Sequence, residues 1–393
     1  MVYMRTLIIN GRLITTNEII ENASILFEDG IIKEIFRDPP AIEGALVINA
    51  QHNFISPGFI DMHVHGGGGC DFMDGSPEDF LSIAHTHAQH GTTAMMPTTL
   101  TSDKAGIMRI LDCYDKTYGA NKNGASFAGM HIEGPYFAMQ HRGAQDPRYI
   151  RNPDKEEYDE ILLKYDCIKR WSIAPELPGA LELGRLVASK NIIASIAHTD
   201  ALYDDVRKAM EHGYSLVTHL YSAMNGVVRR NAYRYAGVVE AAFLHDELDV
   251  EIIADGKHLP VPLLQLIYKI KGASKIALIT DAMRAAATNV VTSTLGAKDN
   301  GLDVIIEDGV AKLPDRSSFA GSVATADKLV RVMWKDAGIP LTEVIRMITE
   351  TPARIIGVSD KTGTLVAGRD ADIVLFDDAV NVMKVFVRGK EII

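Results

Sequence analysis

The chain has 393 residues, 40 of them basic and 51 acidic, for a formal net charge of −11; hydrophobic residues make up 47% and charged ones 23%. That length carries a large core, the composition is that of a soluble globular protein, and the acidic balance argues against a general nucleic-acid or anionic-membrane surface while leaving room for a local basic pocket. Cys70, Cys113 and Cys167 are odd in number and far apart, which gives no disulfide framework and fits a reducing compartment. Met1 to Asn10 lacks a signal-peptide pattern and no apolar run reaches spanning length, so the reading is cytoplasmic, with no membrane and no nucleic acid as partner.

Thr6 to Ala50 reads as all-β. Leu7-Ile8-Ile9, Ile25-Leu26-Phe27, Ile31 to Ile35 and Leu46-Val47-Ile48 are short β-branched runs, with Asn10-Gly11 and Asp29-Gly30 as hairpin-turn dipeptides between them. The C-terminus returns to this style in Asp372 to Phe376 and Met383 to Val387, followed by an Arg388-Gly389-Lys390 turn. The expectation is a small β-sandwich domain built from both termini, residues 1–54 and 358–393, with a larger domain, 55–357, inserted between them.

In the inserted domain, candidate strands alternate with helix patterns. The strands are Phe54–His65, Thr92–Pro97, Phe127–Glu133, Trp171–Ala174, Ile192–His198, Ser215–His219, Val250–Ala254 and Ile276–Thr280. Ser76-Pro77-Glu78-Asp79 is a capped helix start, with Gly91 as its C-cap. Asp200 to Glu211 and Pro262 to Lys271 are further helix patterns, each followed by a glycine. Eight strands alternating with helices over roughly 300 residues suit a TIM-like (β/α)8 barrel, above the ~250 residues typical of that fold. The rival, an open doubly wound sheet, lacks a Gly-x-Gly-x-x-Gly fingerprint after the first strand.

Reactive residues of such a barrel collect where strands finish. Reading only those ends gives His63 and His65, Glu133, His198, His219, Asp255 with His258, and Asp281. His63 and His65 are two apart, so on a strand they share a face, and Gly66 to Gly69 after them offer backbone able to turn sharply and approach a ligand. Imidazole and carboxylate are the ligand types for zinc or a related divalent metal. Asp281 ends the apolar run Ala277 to Thr280; it reads as a general base toward a metal-activated water, as an N-cap of a following helix, or as both. His85, His87 and His90 on the capped helix read as structural, His212 and His245 as surface residues, and His131 as packing one layer below Glu133. His141, in the loop after the third strand, stays open. Cys70 reads as a spectator thiol, having no basic neighbour. Arg229-Arg230, after the sixth strand, reads either as a solvated pair or as an anchor for an anionic group such as phosphate.

These residues match a known pattern. With Pro57–Gly66, His131-Ile132-Glu133-Gly134-Pro135, Ala174-Pro175-Glu176, Ala197-His198-Thr199, Thr218 to Met224, Ala254 to His258, Thr280-Asp281-Ala282 and Ala320-Gly321-Ser322, in this order over nearly its whole length, the chain resembles the amidohydrolase superfamily, and within it the deacetylases of N-acetylglucosamine 6-phosphate. The resemblance implies that Glu133, His198 and His219 hold a principal divalent metal (Zn, or else Fe or Mn), that His63 and His65 hold a second where one is present, and that Asp281 is the catalytic acid/base. It implies that His258, and Arg230 from the neighbouring subunit of a homodimer, bind the sugar phosphate. Gln145 would stand near the acetyl carbonyl, and Ser222 and Ala223 in a segment whose backbone meets the sugar. The implied reaction yields acetate and the amino-sugar 6-phosphate. The alternatives are the N-acetylgalactosamine 6-phosphate epimer as substrate, or a cyclic amide; relatives of the latter kind use a lysine on the fourth strand to bridge metals, and Ser172-Ile173-Ala174-Pro175-Glu176 has none.

Overall fold

The structure, a computed structural model, describes residues 5–393; residues 1–4 of the predicted small β-domain (1–54 and 358–393) lie outside the described residues. Eight parallel strands form its centre: β1 (Phe59–Val64), β2 (Thr92–Pro97), β3 (Met130–Glu133), β4 (Ile168–Ile173), β5 (Ile193–Ile196), β6 (Tyr214–Val217), β7 (Asp249–Ile253) and β8 (Ile276–Ile279). The strands β3 to β8 pair in that order as one curled parallel sheet. β1 and β2 pair with each other, and β2 also pairs with Ser126–Phe127. Single parallel bridges join the two groups, Thr98 with His131 on one side and Val64 with Ala282 on the other. All residues of β1, β2, β3, β7 and β8 are buried, the near-continuous apolar pattern that parallel strands covered on both faces require.

The predicted strand Phe54–His65 is two strands in two sheets. Phe54–Pro57 pairs antiparallel with Ile373–Phe376 in the terminal sheet, whereas β1 pairs with β2. The break falls at Gly58, whose N–H goes to the Asp372 carbonyl, 2.9 Å away. A Cβ there would sit 2.0 Å from Oγ1 of Thr93, itself fully buried. Gly58→Ala is therefore expected to cost about 1–3 kcal/mol, the usual range for overpacking a filled site, and to lower the thermal midpoint; an unchanged midpoint would show that Thr93 yields freely.

The predicted third strand is likewise split, at Ala128-Gly129. Gly129 has φ +114°, and a Cβ on it would meet Lys169 Cγ at 2.2 Å. The other strands differ from expectation only at their ends. The helix after Ser76 runs Pro77–Ala88, with Ser76 Oγ accepting from Asp79 N at 3.1 Å. It stops short of Gly91, which forms the turn beyond it with φ +92°. The helix predicted from Asp200 starts at Tyr203.

The terminal strands form one sheet in the order Lys390–Glu391, Val382–Val387, Ile373–Phe376, Phe54–Pro57, Arg5–Ile14, Ile19–Glu28, Ile31–Phe36, with Leu46–Asn49 also beside Arg5–Ile14. It has its own apolar cluster, including Ile8, Leu13, Ile25, Phe27, Ile55 and Phe386. Asp29-Gly30 turns as predicted, both residues having positive φ. Asn10-Gly11 does not turn the chain: it is a bulge within Arg5–Ile14, with Asn10 at φ +57° and the register shifting around Gly11. A three-stranded antiparallel sheet that the sequence reading did not anticipate (Thr292–Leu295, Leu302–Glu307, Val310–Lys312) follows β8. Among the described residues no helix is long and apolar enough to cross a membrane.

Candidate active site

The C-terminal ends of the parallel strands converge on a cavity of about 240 Å³. Every predicted site residue lines it except His63, Asp255 and Arg230: His65, Glu133, Gln145, His198, His219, Ser222, Ala223, His258 and Asp281 are all on its surface. His63 is fully buried just beneath. Three of these residues leave their strands with left-handed backbone, His198 at φ +43°, His219 at +29° and Asp281 at +49°. Such conformations are costly for residues with a Cβ and persist where surrounding bonds over-determine them. For Asp281 those bonds are its N–H to the His63 carbonyl (2.9 Å) and its own carbonyl accepting from Ser322 N (2.7 Å). No helix begins after Asp281, so its N-cap reading is overturned.

Glu133 stands at the centre. Its Oε1 lies 3.1 Å from His219 Nε2, 3.4 Å from His63 Nε2 and 3.5 Å from His198 Nε2; its Oε2 lies 3.4 Å from His65 Nε2. Asp281 Oδ1 is 3.0 Å from His65 Nε2 and 3.5 Å from His63 Nε2, and those two ring nitrogens face each other at 3.2 Å. Four histidines thus turn Nε2 inward on two carboxylates, and the far side of each ring is arranged separately. His198 Nδ1 contacts the His141 carbonyl at 2.9 Å, His65 Nδ1 the Thr98 carbonyl at 3.3 Å and His63 Nδ1 Glu251 at 3.5 Å, while His219 Nδ1 is buried without a partner among the described residues.

This donor set fits a divalent metal. All of these inward separations exceed the ~2.7–2.9 Å of a charge-assisted hydrogen bond. They match the spacing of about 3.3 Å between ligand atoms each bonded at ~2.0–2.1 Å in tetrahedral array. Two groups have ligand atoms mutually within 4.8 Å, His63 with His65 and Glu133, and Glu133 with His198 and His219. The charges point the same way. Burial opposes a charge on His63, yet Glu133 and Asp281 raise its pKa to about 10. Burial likewise works against ionising Asp281 and Glu133, yet the His63 charge and the histidine contacts hold both carboxyls below their ordinary range. The pocket is thus built to stabilise positive charge among its carboxylates.

His131 packs beneath, its ring edge-on to His63 at 4.7 Å and bonded to Thr98 Oγ1 and Ser172 Oγ; burial keeps it neutral. Asp255 accepts from the backbone of Lys257 and His258 and pairs with His258 Nδ1 at 2.8 Å, which aims that ring into the cavity. Gln145 is engaged at both ends of its carboxamide, donating to Glu133 Oε2 (2.6 Å) and accepting from Thr101 N (2.9 Å). Arg230 is on an exposed hairpin (Val228–Arg230 with Tyr233–Tyr235), 3.9 Å from Asp200 and away from this chain's cavity. His141 contacts Asp200 at 3.3 Å. His87 is fully buried with Nε2 on the Gly66 carbonyl, as its structural reading expects, whereas His245 is half-buried against Tyr203 and is not a simple surface histidine.

The glycine loop packs against the loop after β8 and does not line the cavity. The N–H groups of Gly66, Gly68 and Gly69 go to the carbonyls of Ala282, Ala286 and Arg284, and a Cβ on Gly66 would meet the Cys70 carbonyl at 2.3 Å. Its glycines let two loops pack closely. Cys70 is half-buried there and burial raises its pKa, which suits a spectator. The sequence reading missed Leu295, Ser318 and Phe319, which line the cavity from the region after β8; Phe319 lies against His258 with ring centroids 4.5 Å apart. Their one sequence signal is the neighbouring Ala320-Gly321-Ser322.

The amidohydrolase family profile matches residues 54–392. N-acetylglucosamine-6-phosphate deacetylase of Bacillus subtilis (strain 168) is 32% identical over 385 residues, covering 96% of this chain and 94% of that protein. N-acetylgalactosamine-6-phosphate deacetylase of Escherichia coli O157:H7 is 30% identical over 380 residues, covering 96% and 97%. The crystal structure of N-acetylglucosamine-6-phosphate deacetylase from Pasteurella multocida superposes with a TM-score of 0.92 at 28% identity, covering 99% of each chain.

Proposed function

The chain belongs to the amidohydrolase family, and from that premise we propose that it hydrolyses the acetamide of N-acetyl-D-glucosamine 6-phosphate to D-glucosamine 6-phosphate and acetate, in amino-sugar catabolism and cell-wall sugar recycling. The observation that carries the reading is the meeting of Glu133, His198, His219, His65 and Asp281 in one cavity with His258 and the Ser222-Ala223 segment. Glu133, His198 and His219 would hold one divalent ion, zinc by preference, and His63 with His65 a second. When bound, such an ion polarises a carbonyl and acidifies water.

Asp281 takes a proton from the attacking water as oxygen adds to the acetamide carbon. It returns that proton to the nitrogen as the C–N bond breaks. Gln145 holds Oε2 of Glu133 and so fixes the carboxylate's orientation. Ser222 and Ala223 meet the sugar through their backbone, and His258 meets the phosphate together with Arg230 of a partner subunit in a homodimer. In this reading the eight parallel strands are a closed (β/α)8 barrel over 55–357, the terminal sheet is a small β-sandwich domain over 1–54 and 358–393, and the enzyme works in the cytoplasm.

Acetate release from N-acetylglucosamine 6-phosphate by the purified protein tests the reading. Release is expected, with loss on chelation and return on adding zinc. No release from folded, fully metallated protein would sink it and favour a cyclic-amide substrate. The same assay on the galactosamine epimer compares the two sugars directly.

A further inference from the structure

Beneath the cavity lies a fully buried ion pair that the reaction does not use. Arg170 on β4 and Glu251 on β7 are both completely inaccessible. All five N–H groups of the guanidinium are engaged. Nε donates to Ser195 Oγ (3.0 Å), one terminal nitrogen to the Met62 carbonyl (3.2 Å) and Glu251 Oε1, and the other to Thr218 Oγ1 (2.7 Å) and Glu251 Oε2 (2.7 Å). A buried ion pair is poor evidence of stabilisation, because desolvating both charges offsets their attraction, and apolar residues of similar volume often serve as well. What it touches is more informative. Met62 immediately precedes His63, so Arg170 grips the backbone that carries that ring. Glu251 Oε2 is the group facing His63 Nδ1, at 3.5 Å, and the only hydrogen-bond or ion-pair contact of that nitrogen among the described residues. Nε2 of the same ring faces Glu133, Asp281 and His65. The Glu251 backbone carbonyl also accepts from Leu220 N, the residue after His219.

We infer that Glu251, held by Arg170, is a positioning residue that draws the Nδ1 proton of His63 to its own side, leaves Nε2 free to face Glu133 and Asp281, and thereby sets how tightly the His63–His65 end of the site holds a divalent metal. The inference rests on the metal-site reading above. The physical basis is general. A ligand histidine whose other nitrogen is bonded to a carboxylate has its tautomer and ring orientation set in advance, and loss of such a partner typically weakens metal binding about 10–100-fold. Arg170 keeps Glu251 ionised and stationary, and its grip on Met62 fixes the ring's starting point. One guanidinium thereby controls both the backbone and the Nδ1 side of His63.

The test is competition for zinc between a chelator and purified full-length protein, read as ions per subunit and as the dissociation constant of each. Two variants are compared with wild type: Glu251→Gln, which keeps the shape, and the double variant Arg170→Met with Glu251→Met, which leaves no unpaired buried charge. Both are checked for a cooperative melt. The expected result is one ion released about 10–100-fold more readily in both variants, with the other ion unchanged. A merely structural role would weaken both ions alike or neither. Either of those results in folded variants overturns the inference, as does a wild type that holds one ion with an affinity neither variant alters. A wild type that binds no zinc at all would instead overturn the metal-site reading on which the inference stands.

Discussion

Asp281→Asn is expected to lower kcat for acetate release by about 10²–10⁴-fold, the range for removing a general acid–base, while metal per subunit stays near the wild-type value. The substitution preserves shape, and the backbone bonds that hold the left-handed conformation (Asp281 N to the His63 carbonyl, Ser322 N to the Asp281 carbonyl) do not involve the side chain. What is lost is a group able to hold the proton between water and the leaving amine. Metal content should survive because Glu133, His198, His219, His63 and His65 remain. The carboxylate contacts His65 Nε2 at 3.0 Å, so some weakening at that end is compatible with the role. Steady-state kinetics beside elemental analysis of the same sample separates the cases. Retained turnover removes Asp281 from proton transfer, and lost turnover with lost metal makes it a ligand first.

Arg230→Ala is expected to raise KM for the phosphorylated sugar by about 10–100-fold, the equivalent of losing a charge-assisted hydrogen bond of ~1.5–3 kcal/mol, with little effect on an unphosphorylated N-acetyl sugar. Within its own chain Arg230 is half-exposed, 3.9 Å from Asp200 and outside the cavity. Its hairpin also exposes Tyr233 and Tyr235, with Val227 just before it. In the proposed reading, an arginine placed there meets the phosphate in another subunit's site. Mixing the Arg230→Ala and Asp281→Asn proteins under conditions of subunit exchange should then restore activity, since a hybrid dimer has one site with both groups intact. Equal KM effects on both sugars would reject Arg230 as a phosphate contact. Failure of the mixture, with exchange demonstrated, would reject its crossing between subunits.

Much of the site was legible in the chain because its chemistry sits where local pattern changes. Buried parallel strands read as apolar runs, and His63, His65, Glu133, His198, His219 and Asp281 interrupt or end them with ligand-type side chains. Parallel strands finish at one end of the sheet, so residues as far apart in the chain as His65 and Asp281 meet in one cavity. The alternation of strands and helices likewise implied the parallel centre, and β-branched runs at both termini implied their shared sheet, which Phe54–Pro57 beside Ile373–Phe376 completes.

Other features depend on which neighbour a residue meets. Asn10-Gly11 has the composition of a turn, but pairing on both sides keeps it within a strand as a bulge, and Gly58 reads as mid-strand until Thr93 packs against it. Gly66 to Gly69 allow a close approach; that the approach is to Ala282–Ala286 follows from the bridge between Val64 and Ala282. A lone Arg170 and a lone Glu251 in apolar strands are only anomalies in the chain, and they become a pair through a hydrogen bond spanning 81 positions. The sequence by itself determined which ligand-type side chains stand at which strand ends, because periodicity and turn preference are local. Only the tertiary structure decided their partners, since desolvation forces each buried polar group to find one and strand order sets which are within reach.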